Sequence, residues 1–220
     1  MKKRILALSV LASITSFVSQ AQDSSSAFSY DTVSLGYKTL KIDDMDGNFK
    51  GLSLKASKSF GGSGVFALGE YFTVEHSDSV TLDDGKVELE SDVKQYELGL
   101  GYKYSMTDKS DLFVELAFGN SEIKGEERFT DNLDHNFNFV SELKADDDFY
   151  RLGVGGRSQI YDQFEVFAKV DAIKYSDGNS TEIGWTVGGR YNITKQFDAE
   201  VSVFNYEDLT SWFVAGVYRF

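Results

Sequence analysis

The sequence predicts an all-β chain folded as a transmembrane, antiparallel, up-and-down β-barrel of ten strands. Three observations predict it. Apolar residues recur at every second position from about residue 30 to the last residue, which is the period of a strand and not of a helix. No Pro occurs in 220 residues, as suits a chain that is mostly hydrogen-bonded ladder. Turn-forming residues divide the pattern into stretches long enough to cross a bilayer as tilted strands of ~9–11 residues.

The N-terminus reads as an export signal. Lys2, Lys3 and Arg4 precede an apolar stretch from Ile5 to Val18, and Ser19-Gln20-Ala21 supplies the small residues of a cleavage site. Residues 1–21 are therefore expected to be removed, leaving 22–220 as the barrel.

In chain order the strands are Tyr30–Ile42, Phe49–Phe60, Val65–His76, Val93–Ser105, Asp111–Lys124, Phe149–Ile160, Phe164–Tyr175, Thr181–Ile193, Phe197–Asn205 and Leu209–Phe220. The connections after even strands are tight: Gly61-Gly62-Ser63-Gly64, Met106–Ser110, Tyr161-Asp162-Gln163 and Thr194-Lys195-Gln196. Two after odd strands are long, Ser77–Asp92 and Gly125–Asp148. Short turns at one end and long loops at the other are expected of bacterial membrane barrels. Both termini then lie at the short-turn end, so the strand number is even. A turn at Tyr206-Glu207-Asp208 gives ten; eight strands is the alternative, with one hairpin belonging to a loop.

Alternation leaves open which face is wet. Two patterns place lipid outside. The polar face is rich in Gly, as in Glu97-x-Gly99-x-Gly101-x-Lys103 and Arg151-x-Gly153-x-Gly155-x-Arg157, and a narrow lumen needs small residues to make room for a few long ones. On the apolar face, Phe60, Tyr104, Phe164, Tyr191, Phe197, Tyr218 and Phe220 fall near short turns or the chain end, while Tyr37, Tyr96, Phe118, Tyr150 and Trp212 fall near the opposite ends. Two aromatic girdles flanking an aliphatic band are expected of a lipid-facing exterior. The same parity assigns to the lumen a charge network of Lys38, Lys55, Glu70, Glu97, Lys103, Glu115, Arg151, Arg157, Lys169, Asp171, Arg190, Glu200 and Arg219. Strand three is the difficult one, because Phe66, Leu68, Glu70 and Phe72 share a face. Glu70 is placed inside. Mixed signs predict ion pairs across the lumen in place of an open ring of one charge.

The last strand puts Trp212, Val214, Gly216, Tyr218 and Phe220 on one face. This resembles the C-terminal insertion signal of bacterial outer-membrane barrels, carried here by Trp212, Val214, Tyr218 and Phe220. With the leader, Tyr96-Glu97-Leu98-Gly99-Leu100-Gly101-Tyr102 and Arg151–Arg157, the whole mature chain resembles small outer-membrane β-barrel proteins of the OmpA-barrel and OmpX/Ail-like, porin-family class. The resemblance implies residence in a Gram-negative outer membrane, and as partners the barrel-insertion machinery, membrane lipid and lipopolysaccharide. Ail-like members resemble eight-stranded barrels, whereas ten strands are counted here.

Chemistry is sparse. Without Cys there is no disulfide framework or thiol nucleophile. Only His76 and His135 could act as neutral-pH bases. Ten-stranded surface proteases of the omptin type use an Asp-x-His pair, but Val74 and Leu133 stand two before these histidines. Outer-membrane lipid-A deacylases use His-x-Ser, and here Ser79 stands three after His76. Asp44-Met45-Asp46-Gly47-Asn48 resembles the start of a calcium loop, yet Lys55 occupies the twelfth position, where a carboxylate is needed, so a tight turn is expected. No cofactor or metal is predicted. The net charge of −13 argues against nucleic-acid binding. Ser77–Asp92 holds six acids against one Lys, and Gly125–Asp148 holds eight against two basic residues. These loops could bind divalent cations or cationic partners, and the apolar residues of the second could fold it into a hairpin extension. The expected function is non-enzymatic, in envelope integrity or surface interaction. A narrow porin comes second and a surface hydrolase third.

Overall fold

The computed structural model describes residues 28–43, 47–81, 85–131, 138–178 and 180–220. The expected signal segment lies outside them. Ten antiparallel strands form a closed barrel in which each strand pairs with its sequence neighbours and the first closes on the last. They are β1 (Thr32–Ile42), β2 (Phe49–Ser59), β3 (Val65–Thr81), β4 (Gly85–Thr107), β5 (Ser110–Asp131), β6 (Asn138–Tyr161), β7 (Phe164–Tyr175), β8 (Glu182–Asn192), β9 (Phe197–Tyr206) and β10 (Leu209–Arg219). The turn at Glu207-Asp208 that makes the number even is present, with Glu207 at φ 44°. The eight-stranded alternative is set aside.

Register fixes the shape. From Lys38, pairing leads one way through Gly51, Val74, Val93 and Ile123 to Ala145 on β6. The other way it leads through Phe213, Ser202, Gly188 and Phe167 to Arg157 on the same strand, twelve residues further along. That stagger tilts the strands by about 40°, so the eleven residues of β1 or β10 rise roughly 28 Å, enough for a hydrocarbon core.

Leu54, Leu98, Leu100, Val154, Val170, Val187 and Val214 point outward and are exposed. In water this belt would be a large uncovered apolar patch; it matches the acyl region of a bilayer. Tyr104, Phe197 and Phe220 edge it at the short-turn end, and Tyr37, Tyr96, Tyr150 and Trp212 at the other. At the short-turn end the chain reverses after β2 through a single 3-10 turn, Gly61–Ser63, where Gly61 and Gly64 (φ 59° and 75°) adopt the left-handed backbone that only Gly enters without strain.

Two expectations need correction. Tyr30 is not part of β1: Phe28–Asp31 precedes it, and Phe28 and Tyr30 are buried in the lumen. The segments Ser77–Asp92 and Gly125–Asp148 are largely not loops. β3 and β4 stay paired up to Thr81↔Lys86, and β5 and β6 up to Thr130↔Asn138, with β4 and β5 joined between them. A four-stranded sheet therefore runs on past the aromatic girdle. Period-two alternation persists there, with Val80, Val87, Leu89, Phe129 and Phe139 on one face. Charges two apart, which share a face of a strand, neutralise one another: Lys86–Glu88 at 2.6 Å, Lys94–Asp92 at 2.8 Å, Lys124–Glu122 at 2.9 Å and Arg128–Glu126 at 2.8 Å. Polar composition suggested loop; in-face pairing allows strand.

Candidate functional site

Among the described residues the lumen gathers charged side chains from β1 through β9. Its centre is Arg151 on β6. The guanidinium donates to Glu97 of β4 through Nε (3.1 Å) and Nη2 (2.6 Å), and through Nη1 to Glu115 of β5 (3.0 Å) and Asp171 of β7 (2.9 Å). Lys169 adds contacts to Glu115 at 3.2 Å and Asp171 at 3.3 Å. Arg151, Glu97 and Asp171 are buried. Buried charges persist when paired and hydrogen-bonded, and a planar guanidinium can serve three carboxylates at once because its donors point in fixed, diverging directions.

A second cluster lies on β1–β3. Lys38 Nζ donates to Glu70 at 2.8 Å and sits 3.6 Å above the Phe72 ring, while Ser53 Oγ donates to the same Glu70 oxygen at 2.9 Å. Glu70 does lie inside. Lys55 lines the same cavity with its ammonium on the Phe213 ring, 4.0 Å from the centroid, and forms no ion pair among the described residues. Arg190 pairs with Glu200 at 2.6 Å. Two further pairs lie near the short-turn end: Arg157 with Glu165 at 2.6 Å and Arg219 with Asp198 at 2.8 Å. Lys103 stands over the Tyr30 ring at 4.9 Å.

Of these residues, Glu165 and Asp198 are absent from the sequence-based network, although both are buried. The signal was available, since Glu165 shares the parity of Lys169 and Asp171, and Asp198 that of Glu200. Two apolar lumen groups were also missed. At the short-turn end the Arg157 guanidinium lies 4.8 Å from each of the Phe28 and Tyr30 rings, and Tyr30 packs on Phe66 at 4.6 Å. At the other end Leu40, Phe49, Phe72, Val74 and Val93 form a cluster inside the barrel wall. Between them remains a cavity of about 290 Å³, lined from Tyr30 and Arg157 up to Tyr175 and Tyr206.

The insertion-signal residues face outward. Trp212, Val214, Tyr218 and Phe220 are exposed; Tyr218 stacks on Phe220, and the Phe220 amide donates to the Asp31 carbonyl at 3.1 Å. Of the candidate bases, His76 packs on Phe49 with ring centroids 5.4 Å apart, and His135 lies outside the described residues. So do positions 44–46 of the calcium-like stretch. Among the described residues no group of three His, Asp or Glu side chains is arranged to hold a metal ion.

No protein-family model and no curated protein matches the chain. Solved structures of similar architecture include Ail, the attachment invasion locus protein of Yersinia pestis, at 16% identity over 86% of this chain and 97% of that one, with a TM-score of 0.42. The KdgM porin is similar at 15% identity over 85% and 99%, TM-score 0.41. A major outer membrane protein from Thermus thermophilus is similar at 12% identity over 86% and 99%, TM-score 0.47. At such identities and TM-scores none of them says what this chain does.

Proposed function

We propose that this chain is a non-enzymatic outer-membrane barrel protein that acts at the cell surface through its protruding acidic sheet, with a lumen closed to general diffusion. The observation that carries this reading is the lumen filling: a five-membered ion network centred on Arg151, with aromatic and aliphatic side chains packed on either side of it. A barrel built for bulk passage would leave that volume to water. The apolar exterior with its two girdles and the aromatic C-terminal strand support the membrane assignment, and the leader read in the sequence supports export. The sheet formed by the outer parts of β3–β6 presents most of the chain's surplus acid. Divalent cations bridging it to lipopolysaccharide, or a cationic partner, suit that charge.

The test is to replace 77–92 and 125–148 by short turns. The barrel should still fold, because the girdles and the lumen network are untouched. Intact cells carrying the shortened protein should then lose whatever surface-binding difference distinguishes producing from non-producing cells. An unchanged binding profile would contradict the surface role. The second reading, a narrow path for small solutes, is favoured by the 290 Å³ cavity alone.

A further inference from the structure

We propose that the lumen-side face of the outer β3–β6 sheet docks the apolar side of a cationic amphipathic helix. This deepens the surface role proposed above, and rests on it, by naming the face and the chemistry of the partner.

The face is apolar where it meets water. The row Val80–Val87–Phe129–Phe139 crosses all four strands near their outer ends. The row Val74–Val93–Ile123–Ala145 crosses them at the barrel mouth, where Val74 and Val93 belong to the buried cluster of the wall. Between the two rows Leu89 and Leu143 have the same parity. Val80, Leu89, Ile123, Phe139 and Leu143 are exposed. A contiguous apolar patch outside the bilayer marks a docking surface.

Charge selects the partner. The Lys and Arg residues of the outer sheet are Lys86, Lys94, Lys124, Arg128 and Lys144. Each is the chain neighbour of a residue on the apolar face, so all stand on the opposite side, where Glu88, Asp92, Glu122 and Glu126 pair with them. The apolar face keeps Asp78 and Glu127, in one row with Leu89 between them, and no Lys or Arg among the described residues. At the same end of the barrel, the connections between β7 and β8 and between β9 and β10 add Asp177, Glu207 and Asp208. This field attracts a cation and repels an anionic amphiphile such as a fatty acid. A second copy docked face to face would set an acidic surface against itself.

The dimensions suit one helix. Four strands span about 14 Å, and the stretch from Ile123 to Phe129 runs about 20 Å. An α-helix about 10 Å across and about 14 residues long covers that area. Its apolar side lies on the sheet, and its flanking Lys or Arg residues reach Asp78 and Glu127.

The test uses the mature chain in phosphatidylcholine nanodiscs and the fluorescence anisotropy of a labelled amphipathic peptide of about 14 Leu and Lys residues. Empty nanodiscs report binding to lipid alone. A Ser–Lys peptide lacks the apolar side, and a Leu–Glu peptide reverses the charge. Leu89→Asn with Leu143→Asn alters the apolar face, and Asp78→Asn with Glu127→Gln removes its acids. Glu90→Gln with Glu142→Gln makes the same change of charge on the opposite face, where both residues oppose Glu126. Heat-modifiable mobility and circular dichroism verify that each variant is folded. The Leu–Lys peptide should bind saturably beyond the empty-disc level. Both lumen-side pairs and both altered peptides should be weaker by about tenfold or more, with the opposite-face pair within about twofold of the parent. Binding no greater than to empty discs, equal binding by the Ser–Lys or Leu–Glu peptide, or equal loss in the opposite-face pair would each overturn the proposal. A chain that is dimeric by light scattering and takes up no peptide would assign the face to a second copy and also overturn it. Equal loss on both faces would still leave an acidic surface that attracts cations, whereas the surface role itself stands or falls on cells carrying the shortened protein.

Discussion

The ring of Phe113 lies over Gly155, its direct cross-strand partner, so closely that a Cβ on Gly155 would stand 2.5 Å from Phe113 Cζ. The relationship repeats. Phe66 covers Gly101, Phe149 covers Gly119 and Phe167 covers Gly188, each pair directly opposite in the ladder. These four lumen glycines are therefore the seats of lumen aromatics, whereas Gly153 makes room for Asp171 and Arg151.

Replacing a seat should overpack the lumen. Gly155→Val is expected to destabilise the barrel by about 1–3 kcal/mol, read as a lower urea midpoint in micelles. Gly216 lies on the lipid face, where an added Cβ would meet nothing within 4 Å, and should accept Ala with little change. Equal effects at the two positions would contradict the seating.

Lipid contact makes the exterior sensitive to charge. Val154→Arg places a guanidinium in the exposed aliphatic belt and is expected to cost about 2–4 kcal/mol near the bilayer midplane. Single cysteines at 114 and 115 give the companion measurement, with no native Cys to interfere. Brominated lipid should quench a fluorophore at 114 and spare one at 115.

Assembly should depend on the last side chain. Deleting Phe220 removes the Tyr218 stacking partner and the amide bond to Asp31 at the seam where β10 closes on β1. A sharp fall in the folded, heat-modifiable fraction in cells is expected. Normal yield would show that neither the seam nor the insertion signal needs it.

The outer sheet should loosen in acid. Glu122 accepts from Lys144 and Lys124, and these bonds hold its carboxyl at about 2, below the usual 4.5. A depressed carboxyl stabilises above its unfolded value, so the contribution is present above about pH 4.5 and fades as pH falls toward 2. Amide protection factors in 139–148, taken relative to the intrinsic exchange rate at each pH, should fall over that window, and Glu122→Gln should flatten the dependence.

The barrel was legible in the sequence because a two-residue period with one apolar face survives any loop assignment. Its strand number followed from the polar Tyr206-Glu207-Asp208 and the requirement of an even count. Lumen parity placed Glu97, Glu115, Arg151 and Asp171 on one side, but which of them meet depends on a twelve-residue stagger around the barrel, and no local pattern encodes that. The outer sheet was legible in part: the apolar residues of 125–148 pointed to a hairpin extension, which β5 and β6 form, whereas the acid-rich 77–92 looked solvated, and charge pairing two residues apart shows only once the backbone is extended. Phe28 and Tyr30 share the lumen parity of Thr32 and Ser34, but parity alone does not show that their rings pack on Phe66 and Arg157.

The central claim is that the lumen is filled by paired side chains and does not serve bulk diffusion. Planar-bilayer recording of the refolded mature chain tests it most directly. The account predicts no steady openings of general-porin size, and any small conductance should change when Arg151 or Arg157 is neutralised, since Glu97 or Glu165 then loses its partner and rearranges. Steady porin-sized openings that ignore both substitutions would contradict it.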